Sequence, residues 1–158
     1  MQSLHQFDWS VRDIEFLLWE QFRIDEQLLR HEAIAGAGID RELLVNLLHQ
    51  ARQFSARELD PINMIADQEG CLLDAEGRVH VPSVFTEAWA KYRQAGWTEL
   101  AKPVHDRIGL PQVACQAYLE LMFGACPAFM TYGGFGTPIA HMISRFGKAW
   151  QKDVFIEK

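Results

Sequence analysis

The joint Tyr132-Gly133-Gly134-Phe135-Gly136-Thr137-Pro138 connects two apolar, helix-like runs within "FGACPAFMTYGGFGTPIAHMISRFG", Phe123 to Gly147. Glycine permits close backbone approach or positive φ at an entropic cost, and proline cannot donate to a helical ladder. A chain carrying this joint is therefore confined to shorter helices that meet at a seam. The seam must return something for its flexibility. Either the small residues let two helices pack closely, or they leave room for a ligand.

The rest of the chain reads as helices. "SVRDIEFLLWEQF" opens at Ser10, with Asp13 completing an acidic variant of the capping box, and places Val11, Ile14, Leu17 and Leu18 on one face. Gly36 and Gly38 interrupt the following linker. Asp40 caps the next helix, whose stripe is Leu43, Leu44, Leu47, Leu48, Ala51 and Phe54. Pro61 should bend or end it. "DQEGCLLDAEGRVHVPS" holds two glycine turns and, at most, a short hairpin.

In the second half, a helix opens near Pro82 and Ser83 and closes at Gly96. "TELAKPVHDRIGLP" reads as a loop. Pro111 opens "PQVACQAYLELMFGACPAFM", apolar nearly all round and so a central helix, with a kink expected at Pro127. Thr137 and Pro138 read as the cap and first residue of "PIAHMISRF", Gly147 ends it, and "KAWQKDVFIEK" makes a last helix. The expected fold is an all-α helical bundle of five to seven helices in one domain, with residues 1–35 as an extra N-terminal helix and linker and 40–158 as the bundle.

Composition narrows the function classes. At 158 residues the chain suffices for one sizeable core. A net charge of −6 disfavours nucleic acid as a partner. No apolar run reaches the length of a membrane span, and the N-terminus lacks a signal peptide's basic and apolar regions. Cys71, Cys115 and Cys126 are odd in number and scattered, fitting reduced thiols packed as small hydrophobes in a cytoplasmic protein.

Site chemistry is sparse. Histidines at positions 5, 31, 49, 80, 105 and 141 show no HExxH or paired ligand spacing, so no metal site is expected. His141 lies within an apolar helix and reads as a hydrogen-bonded core histidine. "GGFG" lacks the Lys-Ser/Thr of a phosphate loop. The carboxylate pairs Glu15/Glu20 and Asp67/Glu69 read as solvated faces, and the five Trp and ten Phe as core.

The order of segments resembles the N-terminal helical domain of acyl-CoA dehydrogenases, FAD enzymes that desaturate acyl thioesters. The likeness is greatest to the extended branch that includes methylthiopropanoyl-CoA dehydrogenases. "VRDIEFLLWE" is similar to that branch's extra first helix, and "FSARELDPINMIADQEGCLLD" to its alanine-rich helix, "PLN" turn and "D-x-E-G". "VPSVFTEAWAKYRQAGWTEL" resembles "PPGFKEAYRAFVEAGW", and Gly109 to Ile156 follow the next two helices. Two departures stand out. The family's "YGGxGLP" is here "VHDRIGLP", keeping only Gly109, Leu110 and Pro111. The family also has a β-domain, starting near a "TEP" motif, and a C-terminal helical domain, and the resemblance implies that these 158 residues hold neither.

The resemblance implies α-proton removal by a carboxylate and β-hydride transfer to FAD, with base and most flavin contacts outside this chain. No catalytic residue is assigned. FAD is expected in the complete enzyme and none on this chain alone. Implied partners are an acyl-CoA substrate, the remaining dehydrogenase domains or a partner subunit, and a second copy in a homo-oligomer. In the family the joint lies beside the acyl chain, which makes Phe129, Tyr132, Gly133, Gly134, Gly136, Pro138 and Met142 candidates for its wall. Tight helix packing at the glycines stays open as the other reading, and so does a stand-alone, non-catalytic binding or assembly module built on the same scaffold.

Overall fold

The structure, a computed structural model, describes residues 9–30, 38–100 and 110–156. The order of elements is α1 (Arg12–Glu15), a π turn (Phe16–Gln21), α2 (Ile24–Arg30), α3 (Arg41–Phe54), a second π turn (Ser55–Leu59) and α4 (Asp60–Glu69). There follow β1 (Leu72–Leu73), β2 (Val79–His80), α5 (Val84–Gln94), α6 (Trp97–Leu100), α7 (Gln112–Ala125), α8 (Pro127–Gly134), α9 (Gly136–Phe146) and α10 (Ala149–Phe155). The all-α expectation holds, with one two-residue hairpin as the only strand pairing among the described residues. Helical rods are divided more finely than the sequence pattern suggests, because prolines and π turns punctuate them.

Residues 41 to 69 form the rod on which the bundle is built. Asp40, extended at φ −121°, accepts the Leu43 N–H on Oδ1 at 2.8 Å and so satisfies one of the free donors of the first turn. Pro61 neither ends the rod nor breaks it. The ladder widens just before it, with the Asp60 N–H reaching back to the Ser55 carbonyl. That widening moves the preceding carbonyls away from a ring that would clash with an α-helical turn, and Pro61 then sits in the first turn of α4 where its missing N–H costs nothing. Gly70, at φ +65°, ends α4.

Helix α7 packs along α3 and the second π turn, as its nearly uniform apolar surface requires. Ala114, Cys115, Ala117, Tyr118, Leu121, Met122 and Ala125 are all buried. Pro127 does more than kink this helix. Cys126 turns to φ −149° and ψ 86°, ending α7 and starting α8. Cys115 and Cys126 are buried free thiols, whereas Cys71 is exposed beside the hairpin. Two of the three therefore pack as small hydrophobes.

The N-terminal segment lies on the rod's first half. Val11, Ile14, Leu18 and Trp19 are buried, the Arg52 Nε donates to the Trp9 carbonyl at 2.7 Å, and Arg41 covers the Trp19 ring. Ser10 Oγ accepts the Arg12 N–H at 3.2 Å, not the Asp13 N–H of the expected capping box, and Val11, the residue before α1, makes no side-chain cap. On the far side Glu69 Oε2 accepts both the Ser83 N–H and the Ser83 hydroxyl at 3.0 Å. Glu69 therefore caps the start of α5 from another element, a more specific role than a solvated face.

Two buried tyrosines make the core sensitive to alkali. Burial pushes the Tyr92 hydroxyl up to about 12 and raises that of Tyr118 as well. The folded chain then holds protons that the unfolded chain releases above about pH 10, so stability falls as pH rises through that region. The melting temperature is expected to drop above about pH 10, and a Tyr92→Phe/Tyr118→Phe double variant should flatten the drop. An equally steep fall in the double variant would contradict this origin.

Candidate functional site

Helices α8 and α9 meet at Phe135, which is itself right-handed helical (φ −77°, ψ −19°). The expected flexible joint is thus a seam in an almost continuous helical path. None of Gly133, Gly134 and Gly136 is at positive φ. The Ile139 N–H already donates to the Phe135 carbonyl at 3.2 Å, so α9 starts ahead of the Thr137-Pro138 pair read as its cap.

Gly133 is explained by packing. A Cβ built there would lie 2.6 Å from Cζ3 of Trp89 and 3.3 Å from its Cη2. Trp89 cannot retreat easily, because its ring stacks on Tyr92 at 5.6 Å between centroids and meets Tyr132 edge-on at 6.0 Å. Gly134 faces Phe123 at an ordinary 3.7 Å, and Gly136 faces open space. The two readings of the glycine joint therefore separate by residue. Helix packing accounts for Gly133, while the space beside Gly136 stays free for something else.

Phe129 is 1% exposed and belongs to an aromatic cluster joining α5 to α8. Its ring lies 5.4 Å from Phe85, 5.8 Å from Tyr92 and 6.1 Å from Trp89. Tyr132, next on the same face of α8, touches Phe85 and Trp89 but keeps more than half its surface open. Gly136, Pro138 and Met142 are exposed on α9. The seven candidates thus run from a packed interior at Phe129 to an open surface at Met142. The α5 half of this cluster, Phe85, Trp89 and Tyr92, escaped the sequence reading. Its spacing of four and three residues was the available signal, since it places all three on one helical face.

Beyond the seam, no residue of α9 or α10 whose burial is described is buried, and Phe135, Ile139, Met142, Phe146, Trp150, Val154 and Phe155 are exposed. This corrects two expectations. His141 is exposed on α9, not held in a core, because the helix that carries it is itself uncovered. Several Phe and Trp side chains read as core are likewise at the surface, among them Trp9, Phe16, Phe22 and Phe123.

Catalytic constellations are absent among the described residues. No group of three or more His, Cys, Asp or Glu side chains converges as a metal site. Ser55 Oγ is wholly buried on the π turn without a hydrogen-bond partner, so no base is in reach to activate it. Burial raises the Cys115 and Cys126 thiols away from the reactive thiolate. The densest polar cluster is on the hairpin. Asp74 there accepts from the Arg78 Nε and pairs with His80 Nε2, each at 2.8 Å, and these bonds, His80 foremost, hold its carboxyl below the usual value. All four polar members serve the turn itself, including Glu76, whose N–H donates to Asp74 at 3.0 Å. Histidines 5, 31 and 105 and residues 104–109 of "VHDRIGLP" lie outside the described residues.

Among the described residues there is no glycine-rich strand-to-helix turn of the kind whose backbone N–H groups cradle a dinucleotide's phosphates in doubly wound folds. Here the glycine run is wound into α8 and α9, and the Gly133 face is filled by Trp89.

No family model matches the chain. Over 118 residues it is 30% identical to a protein of Ruegeria pomeroyi named 3-methylmercaptopropionyl-CoA dehydrogenase. The match takes in 70% of this chain and 19% of that protein, so the chain spans about a fifth of the length of this curated relative. The likeness supports an acyl-CoA dehydrogenase-like origin. No helix among the described residues is long and apolar enough to cross a membrane.

Proposed function

We propose that this chain is the N-terminal helical part of an acyl-CoA dehydrogenase-like flavoenzyme acting in α,β-desaturation of acyl-CoA, an oxidoreductase of fatty-acid metabolism. Within it, residues 1–35 form the extra helix and linker and 40–158 the bundle. The single observation that carries the reading is the 30% identity to the Ruegeria pomeroyi dehydrogenase over most of this chain. FAD and the catalytic base come from polypeptide outside these 158 residues. What this chain supplies is an apolar wall at the α8–α9 seam, where desolvating the acyl tail provides binding energy. Tyr132, Gly134, Gly136, Pro138 and Met142 offer accessible surface for that wall, with Phe129 and Gly133 supporting it from behind.

Gly136→Leu in the assembly that contains this chain tests the wall, because its Cβ meets nothing within 4 Å and the fold is left intact. Turnover of long-chain acyl-CoA should fall about tenfold or more while short chains are little affected, as expected when a pocket end is filled. Equal loss at every chain length would contradict the wall. A second reading, a stand-alone assembly module that kept the scaffold and lost the chemistry, is favoured by the uncovered faces of α9 and α10. It expects no acyl-CoA turnover at any length.

A further inference from the structure

The hairpin β1–β2 is ordered without help from the core. None of residues 71–80 is buried, and its apolar side chains, Leu72, Leu73 and Val79, are all exposed. A lone two-stranded hairpin is marginally stable in water at best, and this one pairs only Leu72 with His80 and Leu73 with Val79. A single carboxylate makes up the difference. Asp74 Oδ1 accepts the Glu76 and Arg78 backbone N–H groups at 3.0 and 2.8 Å. Its Oδ2 accepts from the Arg78 Nε and meets His80 Nε2, each at 2.8 Å. The Asp74 N–H donates to the Arg78 carbonyl at 2.9 Å, and the Gly77 N–H to the Asp74 carbonyl at 3.1 Å. Below them, Glu69 Oε2 accepts from Ser83, which fixes the base of the loop between α4 and α5.

Side chains alternate across a strand, so Leu72, Asp74, Arg78 and His80 share one face of the hairpin, and Leu73 and Val79 the other. On the polar face, Asp74 and Glu76 bring two negative charges and Arg78 one positive. One negative charge is left over, and a proton on His80 cancels it. A neutral imidazole can still donate one N–H to Asp74, but a hydrogen bond between charged partners is roughly twice as strong. Among the described residues, α4 and α5 bring no charged side chain into an ion pair with Asp74 or His80, and Glu69 is engaged with Ser83. We propose that the hairpin is a proton-sensitive arm, which tightens when His80 is protonated and loosens when that proton leaves, while the bundle stays folded. The sign follows from linkage, since falling pH favours the state that binds the proton more tightly. Histidine is the side chain that changes charge between about pH 5 and 8, so the arm responds across neutral pH. A second release lies far lower. The bond from His80 foremost holds the Asp74 carboxyl below its usual value, so the clasp lasts until the pH drops below the ordinary carboxylate range. The core contains none of residues 71–80, so the arm can loosen without opening it. The inference rests on the hairpin and not on the dehydrogenase reading.

The test uses the whole 158-residue chain. Cys71, exposed just before β1, takes a nitroxide label, whereas Cys115 and Cys126 are buried. One residue before Leu72, it falls on the face opposite Asp74 and His80, so the label leaves the clasp untouched. Electron paramagnetic resonance then reads the mobile fraction of the label. That fraction should fall severalfold from about pH 8 to pH 5, with the far-ultraviolet circular dichroism of the bundle unchanged. His80→Gln keeps an N–H donor but takes no charge, and should hold the mobile fraction constant over the same range. Asp74→Asn should leave the label mobile throughout. Mobility that ignores pH in the parent chain, or rises on acidification, would overturn the proposal. So would an unaltered pH response in His80→Gln, a label as immobile in Asp74→Asn as in the parent at pH 5, or a helical signal lost together with the arm.

Discussion

Replacing Phe129 by alanine should cost about 3–5 kcal/mol, the usual range for removing a buried phenyl ring. Phe129 is 1% exposed and touches three aromatic rings on α5, so its loss opens a cavity between α5 and α8 that neither helix can easily close. Against a total stability of about 5–15 kcal/mol, that loss removes a large share of the folding free energy. Urea unfolding followed by circular dichroism measures it directly. A loss below about 1 kcal/mol would show that the ring is not core and would return Phe129 to the accessible wall.

Gly133 and Gly136 should respond to alanine with opposite signs. At Gly133 the new methyl group meets Trp89 at 2.6 Å, and the ring is pinned by Tyr92 and Tyr132. Overpacking of this kind costs about 1–3 kcal/mol, more than the helix-propensity gain of about 1 kcal/mol offsets. Gly136 lies in α9 at ordinary φ with nothing within 4 Å of the new Cβ. There alanine keeps the propensity gain and should stabilise by about 0.4–1 kcal/mol. Melting temperatures of the two single variants decide the matter. A stabilised Gly133→Ala, or a Gly136→Ala as harmful as it, would remove the distinction between a packing glycine and a free one.

The contrast also shows what the sequence could and could not reveal. Local chemistry was legible: the Asp40 cap, the turn at Gly70 and the stop at Gly96, both at positive φ, and the apolar girth of α7 each follow from residues adjacent in the chain. The π turn before Pro61 was not, because a proline clash can be relieved by bending, ending or widening a helix, and only the surrounding packing selects among them. Glu69 capping Ser83 spans 14 residues and depends on the hairpin between them. Within the seam, three glycines look alike in sequence. What separates Gly133 from Gly136 is the position of Trp89, 44 residues earlier in the chain. Burial of α9 was misjudged for a related reason. An amphipathic stripe records that a face needs covering, whereas the covering element is recorded elsewhere.

Flavin content of the native assembly tests the central claim most directly. The chain is tagged at its N-terminus, isolated with whatever polypeptide accompanies it, and its visible absorbance is compared with the amount of chain present. A yellow assembly with one FAD for each copy, bleached on adding acyl-CoA, is the expected result. A colourless assembly, unchanged by acyl-CoA, would contradict a role in a flavoenzyme.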